Sequence, residues 1–396
     1  MENTEISWYY FGMLRPRFLQ AIQAAFRVNP VTALLGPRQC GKTTLARQWA
    51  QQKFKEKAGK SVTYFDLEDP TDLAKLANPK LALQNIPGTV IIDEIQRLPN
   101  LFPILRVLAD RPKNKTRFLI LGSASRDLIH QSSETLAGRI SFIEIFPFSG
   151  FEVETGGLEK LWLRGGFPKS FLAKTIKESC GWRKDYVSTF LERDIPALGI
   201  RIPAPLLRRF WMMLSHYHGQ LFNASELGNS LSTADTTVRR YLDILTGTFM
   251  VRQLAPWWEN IGKRQVKSPK IYFRDTGIFH TLLGVSDASD LKNHPKLGAS
   301  WEGFALEETL RFYQAGEGEA YFWATHNDAE LDLLILKDGK RLGFEFKYTD
   351  SPRMTKSIKI AMQDLRLDGL KIIFPGKERF SLEKKIEAVG LHSLLA

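Results

Sequence analysis

The chain has 396 residues, of which 43% are hydrophobic and 25% are charged. This length exceeds what one hydrophobic core normally serves, so we expect roughly two to four domains, and the balanced composition excludes a disordered or fibrous protein. Only two cysteines occur, Cys40 and Cys180, which excludes a disulfide scaffold. The 55 basic side chains outnumber the 43 acidic ones and give a net charge of +12, which favours a polyanionic partner.

The sequence carries no membrane or export signal. No uninterrupted apolar run approaches the ~18 residues that cross a bilayer, and the start, Met1–Glu5, lacks the basic and apolar regions of a signal peptide. We therefore expect a cytoplasmic protein that does not enter a membrane. Residues 1–30 are expected to form an N-terminal helical segment that precedes the first domain.

The first chemical motif follows the apolar run Val31–Leu35 and precedes a helical stretch that starts near Leu45. Its pattern is G-x-x-x-x-G-K-T, in which the glycines allow a tight turn whose N–H groups point at phosphate oxygens. We expect Lys42 to reach the β- and γ-phosphates of ATP, and Thr43 to hold Mg²⁺. The predicted nucleotide contacts are Gly36, Pro37, Arg38, Gln39, Cys40, Gly41, Lys42, Thr43 and Thr44.

Two further strand patterns supply the acid and polar groups of such a site. The apolar run Val90–Ile92 ends in Asp93 and Glu94. Asp93 is expected to contact the Mg²⁺ shell, and Glu94 to polarise the attacking water, which predicts hydrolysis and not nucleotide binding alone. A third strand pattern, Arg117–Leu121, leads to Ser123, which we expect to sense the γ-phosphate.

One arginine has two interpretations. Arg139 ends the helical stretch Ser133–Arg139 just before the strand pattern Ile140–Ile145. In ring-forming ATPases an arginine at this place completes the site of the neighbouring subunit and adds charge to its transition state. The alternative is a surface arginine near a helix C-terminus, where the helix dipole favours a cation.

A helical segment rich in aromatic residues, Leu158–Gly199, comes next. It is interrupted by Gly165-Gly166-Phe167-Pro168, a sequence that favours a turn. Near its end, the sequence Leu191-Glu192-Arg193-Asp194-Ile195 contains Arg193, which would reach a phosphate or a neighbouring subunit, or else form a surface ion pair with its acidic neighbours. Both interpretations stay open.

Taken together, these motifs resemble one prokaryotic AAA+ family whose C-terminal half is catalogued as a domain of unknown function. The resemblance runs from about Arg15 to the C-terminal region and implies an α/β protein. It implies an AAA+ P-loop ATPase core, a small helical lid, a winged-helix domain and a nuclease-like α/β domain. On this basis we predict the core at residues 31–150, the lid at 151–203, the winged helix at 204–285 and the nuclease-like domain at 286–396.

The predicted winged-helix region is basic, because residues 201–280 hold 11 lysines and arginines against 5 acids. Helices are predicted at Leu206–His216, from Ser225, and at Thr236–Leu245, followed by a wing strand at Phe249–Leu254. This order indicates contacts to DNA phosphates, although winged helices also contact proteins and a basic face is often only solvated. The predicted DNA contacts are Arg239, Arg240, Lys263, Arg264, Lys267 and Lys270.

The C-terminal region holds a second group of acids. Glu302 lies on a predicted helix, Asp332 on the strand Glu330–Ile335, and Glu345 and Lys347 on one face of the strand Leu342–Lys347. This order resembles the PD-(D/E)xK restriction-endonuclease-like fold of many Holliday-junction resolvases. We expect Glu302, Asp332 and Glu345 to hold Mg²⁺ and Lys347 to polarise the attacking water. Leu331 stands where the usual proline would be, so cleavage itself stays open.

The resulting hypothesis is an ATPase that uses ATP and Mg²⁺ to bind and remodel or translocate duplex or branched DNA, such as Holliday junctions, in recombination or repair. By analogy with AAA+ relatives it would work as a homo-oligomeric ring, a hexamer. The alternative is a nucleotide-controlled regulatory switch that assembles protein partners and whose nuclease-like domain is inactive.

Overall fold

The computed structural model describes residues 13–56, 61–111, 116–124, 136–153, 155–259, 265–316, 318–326 and 329–396. These residues form two compact units. The first contains the described residues up to Pro147 together with Gly247–Phe249, and the second contains 148–246 and 250–396. In the described parts of the chain, no helix is long and apolar enough to span a bilayer. The finer division into lid, winged-helix and nuclease-like domains stays a prediction.

The first unit is built on a parallel five-stranded sheet in the order β2-β3-β4-β1-β5. The strands are β1 Val31–Leu35, β2 Val62–Asp66, β3 Thr89–Asp93, β4 Arg117–Gly122 and β5 Ile140–Glu144. Every residue of β1 is buried, as expected of a parallel strand covered on both faces. The helices of this unit are Pro16–Val28, Lys42–Glu56, Pro70–Lys75, Pro79–Leu83 and Leu101–Ala109, with a 3₁₀ turn at Ile95–Arg97.

The strand order determines where polar groups meet. Because all five strands are parallel, their carboxyl ends lie at one edge of the sheet, which is where ligands bind in open α/β sheets. The loop after β1, the acids at the end of β3 and Ser123 after β4 all reach this edge, and β4 lies between β1 and β3. The predicted strands of the core are confirmed within one or two residues.

The second unit begins with helical structure and continues into a small sheet. The helical elements up to residue 247 are Thr155–Gly157 (3₁₀), Leu158–Arg164, Pro168–Phe171, Ile176–Thr189, the π-helix Phe190–Asp194, Ile195–Ala197, Ala204–Ser215, Ala224–Leu231 and Asp235–Gly247. The strands β6 Gln220–Leu221, β7 Val251–Leu254 and β8 Lys270–Phe273 pair antiparallel in the order β6-β8-β7. Asn223 caps the helix that starts at Ala224 by accepting from the N–H of Glu226.

A six-stranded mixed sheet forms the C-terminal part of the second unit, in the order β13-β14-β12-β11-β10-β9. Its strands are β9 Ala320–Ala324, β10 Glu330–Lys337, β11 Lys340–Phe346, β12 Gly369–Phe374, β13 Arg379–Glu383 and β14 Ile386–Gly390. The helices are Thr276–Leu282, Ala288–Asn293, Leu297–Tyr313, Lys356–Asp364 and Leu391–Leu395. β10 and β11 are antiparallel, with Leu333 opposite Phe344, so that Asp332 and Glu345 lie on neighbouring strands at the same level.

Candidate functional site

The loop after β1 is shaped by its glycines. A Cβ at Gly36 would collide with the carbonyl group of Ile145, and Gly41 has φ +98°, a conformation that side chains disfavour. The helix that starts at Lys42 directs its first N–H groups and its positive end toward this loop. Gly36 and Pro37 are buried, whereas Gln39 and Thr44 are exposed. The predicted strand, loop and helix are all formed, which gives the local structure that a phosphate cradle requires.

The loop lysine is buried and its ammonium group is held by backbone. Lys42 is 5% exposed, and its Nζ donates to the carbonyl oxygens of Gly36, at 2.9 Å, and Pro37, at 2.8 Å. Cys40 is also buried, which raises the pKa of its thiol, and its Sγ donates to the Ile145 carbonyl at 3.6 Å. The sulfur of Cys40 therefore supports the loop from inside.

Two hydroxyl groups converge on one oxygen of Asp93. Thr43 donates to Asp93 Oδ2 at 2.7 Å, and Tyr64 on β2 donates to the same oxygen at 2.6 Å. Burial and the negative charge of Asp93 raise the pKa of Tyr64 well above its ordinary value, so Tyr64 stays a donor. A threonine hydroxyl beside a carboxylate is a donor set that suits Mg²⁺, and these two residues fit the ion predicted here. Tyr64 was missed by the sequence analysis, because only the pairing of β2 with β3 brings it to Asp93.

The second acid, Glu94, accepts hydrogen bonds from two uncharged side chains. Its backbone adopts a left-handed conformation, φ 55° and ψ 48°, which is uncommon for a residue with a side chain and often marks a functional position. Ser123 Oγ donates to Glu94 Oε2 at 3.3 Å. Gln96 Nε2 donates to the same carboxylate and, at 2.8 Å, to Ser123 Oγ. The predicted pair Glu94 and Ser123 is thus brought together, and Gln96, to which sequence assigned no role, links them.

Two arginines of this unit are engaged in ion pairs. The guanidinium group of Arg38 binds Glu68 and lies 4.0 Å from Glu94 Oε1. Arg139 Nε donates to Asp110 Oδ1 at 2.5 Å, and its Nη1 donates to the Ala137 carbonyl at 3.0 Å. The side chain of Arg139 is 35% exposed. Arg139 is thus a surface arginine paired with Asp110, and its role toward a neighbouring subunit stays a prediction.

In the second unit, the predicted acids of the C-terminal region do meet. Lys347 Nζ lies 3.0 Å from Glu345 Oε2 and 3.9 Å from Asp332 Oδ2. Burial and the charge of Asp332 raise the pKa of Glu345 well above its ordinary value. Burial would also raise the pKa of Asp332, but the ammonium groups of Lys270 and Lys347 outweigh it and lower that pKa.

Lys270 was expected in a basic loop facing DNA, and this expectation is wrong. Lys270 opens strand β8 and is 4% exposed. Its Nζ binds Glu330 and lies 3.9 Å from both Glu302 Oε1 and Asp332 Oδ1. Burial would lower the pKa of Lys270, but the carboxylates around it raise that pKa above its ordinary value. Lys270 is therefore paired with these acids and is not an exposed loop lysine.

The presence of Lys270 also corrects the metal site predicted at Glu302, Asp332 and Glu345. Within the ranges that the structure describes, no group of three or more His, Cys, Asp or Glu side chains is arranged to hold a metal ion. The ammonium group of Lys270 lies between Glu302 and Asp332, and Tyr272 donates to Glu302 Oε1 at 2.6 Å. These residues do not fit Mg²⁺ as they stand, and the roles predicted for Glu345 and Lys347 depended on that ion.

The remaining predicted DNA contacts differ in their exposure. Arg239 and Arg240 are exposed on the helix Asp235–Gly247, as expected. Lys267 is exposed and its Nζ lies 5.9 Å from the ring centroid of Trp258, which is itself 52% exposed. Lys263 and Arg264 lie outside the described residues. Arg193 is exposed in the π-helix Phe190–Asp194.

The strand-loop-helix with Lys42 and Thr43, next to the acids that follow β3, defines the first unit as a P-loop nucleotide-binding domain of the ATPase class. Comparisons with known proteins agree. Residues 28–154 match the family model of an AAA domain, residues 155–289 match a domain of unknown function, DUF8612, and residues 297–394 match another, DUF4143.

Two bacterial relatives resemble almost the whole chain. "Uncharacterized protein Mb2031c" of Mycobacterium bovis and "Uncharacterized protein Rv2008c" of Mycobacterium tuberculosis are each 50% identical to it over 376 residues, which cover 94% of this chain and 83% of theirs. The chain belongs to the same family as these proteins, and its first unit carries the AAA-type ATPase domain.

A solved structure, the Walker-type ATPase PABY2304 of Pyrococcus abyssi, resembles the chain with a TM-score of 0.50 and 13% identity, over 69% of this chain and 97% of that one. At this identity the likeness shows the fold alone. The prediction of a prokaryotic AAA-type ATPase with domains of unknown function is thus confirmed. The winged-helix and nuclease-like descriptions stay predictions.

Proposed function

We propose that the chain hydrolyses ATP with Mg²⁺ at the P-loop and uses the energy to bind and remodel or translocate DNA, branched DNA such as Holliday junctions included, in recombination or repair. The observation that carries the proposal is the hydrogen bond between Thr43 and Asp93, whose carboxylate also accepts from the backbone N–H of Glu94 at 3.0 Å. These groups combine metal ligands with a water-activating acid, which is the minimum for hydrolysis.

Each residue of the P-loop site has a defined task in this proposal. The loop N–H groups and the ammonium of Lys42 would bind the phosphates, and Thr43 and Asp93 would hold Mg²⁺. When bound, the ion neutralises charge on the phosphate oxygens. Glu94 would orient the attacking water, and Ser123 and Gln96 fix the position of its carboxylate by hydrogen bonds.

Three features of the second unit support DNA as the partner. The helices Ala204–Ser215, Ala224–Leu231 and Asp235–Gly247, with the small antiparallel sheet, follow the order of a winged helix. Arg239 and Arg240 present charge to solvent from the last of these helices. The exposed ring of Trp258 beside Lys267 offers a base-stacking surface next to a cation, a combination common in proteins that bind single strands.

DNA coupling is tested by measuring ATP turnover of the full chain with single-stranded, duplex and four-way-junction DNA at low and high salt. We expect stimulation that is largest for one DNA form and that declines as salt rises, because phosphate contacts release counterions. Turnover that is indifferent to all three DNA forms at low salt would reject the coupling but not the ATPase.

The nucleotide-controlled switch is the second candidate, and one observation favours it. Lys270 pairs with acids of the nuclease-like region, and among the described residues no group of three or more His, Cys, Asp or Glu side chains is arranged to hold a metal ion. A switch predicts that ATP-bound Glu94→Gln forms stable protein complexes without turnover, and that replacing Arg239 and Arg240 leaves DNA affinity unchanged.

Assembly into a homo-oligomeric ring, a hexamer, belongs to the same proposal. Arg139 would leave Asp110 and contact the nucleotide of the neighbouring subunit. Subunits with Arg139→Ala keep an intact P-loop, and subunits with Lys42→Ala keep Arg139. Mixing the two inactive variants should therefore restore turnover. If the mixture stays inactive while both variants assemble, Arg139 is only a surface ion pair with Asp110.

A further inference from the structure

Two ammonium groups lie among the acids of the C-terminal region. Two lysines, Lys270 and Lys347, contact the acids Glu302, Glu330, Asp332 and Glu345. A divalent cation would bring two positive charges to such a set of oxygen ligands. The two ammonium groups bring the same charge, and both contact Asp332, which is 6% exposed. Asp332 Oδ2 also accepts from the Phe346 N–H at 3.0 Å, which orients the carboxylate.

Lys270 is not a mobile surface group that an incoming ion would displace easily. Its backbone lies in β8, the central strand of the three-stranded sheet, paired with Leu221 on one side and Leu254 on the other. Its Nζ lies 5.6 Å from the ring centroid of Phe322 on β9. A metal ion beside Glu302 and Asp332 would therefore meet an ammonium whose backbone is held by sheet pairing and whose side chain is only 5% exposed, and like charges at this distance repel strongly in a buried place.

We propose that Lys270 is a built-in cation that takes the place of a divalent metal among Glu302, Glu330 and Asp332, so that removal of its ammonium group creates a metal-binding site. With Lys270 in place, the C-terminal region has no metal-dependent cleavage activity. The acids and the strand geometry of a metal site are present, and a single side chain from a neighbouring sheet blocks it. This inference concerns the second unit only and does not depend on ATP hydrolysis.

The test is calorimetric titration of the full chain with Mn²⁺, in the absence of nucleotide, for the wild type, Lys270→Met and Lys270→Met with Asp332→Asn. Methionine keeps much of the length of lysine without its charge. The wild type should show no Mn²⁺ binding that depends on Asp332. Lys270→Met should gain one site, at least about tenfold tighter than any wild-type binding, and the added Asp332→Asn should abolish it.

Lys267→Met is the matched control, because Lys267 is an exposed lysine three residues away and should leave Mn²⁺ binding as in the wild type. Loss of the buried ammonium leaves acids unpaired, which threatens folding. Lys270→Met with Glu330→Gln lowers the excess negative charge and is expected to fold and to bind Mn²⁺ through Glu302 and Asp332. Circular dichroism and the thermal transition establish which variants are folded.

Two outcomes would overturn the proposal. The first is a wild-type chain that binds one Mn²⁺ with an affinity similar to the variants and loses it on Asp332→Asn, a comparison that needs no change at Lys270. The second is a folded Lys270→Met variant, alone or with Glu330→Gln, that gains no site. Either result leaves the P-loop ATPase untouched, because Asp332 plays no part in it.

Discussion

The P-loop site and the C-terminal acid cluster combine the same residue types and arrange them in opposite ways. In the P-loop site, Lys42 binds backbone carbonyls, and Asp93 accepts from the neutral hydroxyl groups of Thr43 and Tyr64. In the C-terminal cluster, Asp332 faces the ammonium groups of Lys270 and Lys347. Neutral donors orient a carboxylate and leave its charge available, whereas an ammonium cancels that charge. The partner of the acid thus distinguishes a site ready for a metal from one that is already neutralised.

The largest expected difference between the two sites is the effect on ATP turnover of replacing their lysines. Lys42→Ala should reduce ATP turnover to background, because the phosphates lose the cation of the loop. Lys347→Ala, at the corresponding place beside the C-terminal acids, should leave turnover unchanged. Steady-state phosphate release by the two purified variants measures this difference. Comparable losses in both would mean that the C-terminal cluster takes part in hydrolysis.

The acids provide the next largest contrast. Glu94→Gln should lower kcat by about 10²–10⁴, the usual contribution of a group that activates water, while nucleotide affinity is kept. Glu345→Gln is the control and should not change kcat. Single-turnover kinetics and binding of a fluorescent nucleotide separate the two effects. If Glu94→Gln lost nucleotide affinity as severely as Lys42→Ala does, the assignment of Glu94 to the water would be wrong.

A third buried acid, Glu307, is paired with arginines and can be compared with Asp93 and Asp332. Glu307 is 3% exposed and accepts from Arg252 Nη2 at 3.1 Å. Burial would raise the pKa of Glu307, but Arg252 and Arg274 lower it from 4.5 to about 2. A lowered pKa contributes stability that is present above pH 4.5 and is lost as the pH falls toward 2.

Removal of this acid should therefore be costly near neutral pH. Glu307→Gln leaves partly buried arginines without their carboxylate and should reduce the free energy of unfolding by about 3–5 kcal/mol. The loss should shrink as the pH is lowered from 5 to 3, because Glu307 becomes protonated in the unfolded wild type while it stays ionised in the folded wild type, which lowers the stability of the wild type. Urea unfolding of both proteins at these pH values measures it, and a pH-independent difference would contradict the lowered pKa.

The smallest expected effect concerns exposed cations, in contrast with the buried Lys270. Arg240→Ala should weaken DNA binding modestly and make the log–log dependence on salt less steep by about one unit, as for one lost phosphate contact. Lys174→Ala, an exposed cation outside the three-helix region, serves as the control and should leave the slope as in the wild type. Fluorescence anisotropy with a labelled duplex gives both slopes. An unchanged slope for Arg240→Ala would favour a protein-contact role for this helix.

The sequence predicted the P-loop well because its signals are local. β1 is observed at the predicted bounds, Val31–Leu35, and the acids end β3 as expected. Glycines, a lysine and a threonine at fixed spacing determine such a loop whatever surrounds it. Tyr64 and Gln96 escaped prediction because their role exists only after β2, β3 and β4 have paired.

The prediction was wrong for Lys270 because sequence reveals a charge but not the group that faces it. Its position in a run of basic residues indicated solvent, yet the apolar residues Ile271–Phe273 place it at the start of a buried strand. Its partner Glu330 lies 60 residues further along the chain. No local pattern connects residues at such a separation, and the pairing becomes visible only in the folded second unit.

The ion pair between Lys270 and Glu330 also bears on how fragments of this protein can be expressed. Ion pairs and hydrogen bonds, Lys270 to Glu330, Arg252 to Glu307 and His280 to Ser300, connect residues 155–289 to residues 297–394. A fragment that ends at this border would lack one partner of each of these pairs and would leave polar and charged side chains unpaired. The two segments of unknown function are therefore better regarded as one structural unit. A substitution in one segment restricts which residues the other segment can accept at the paired position.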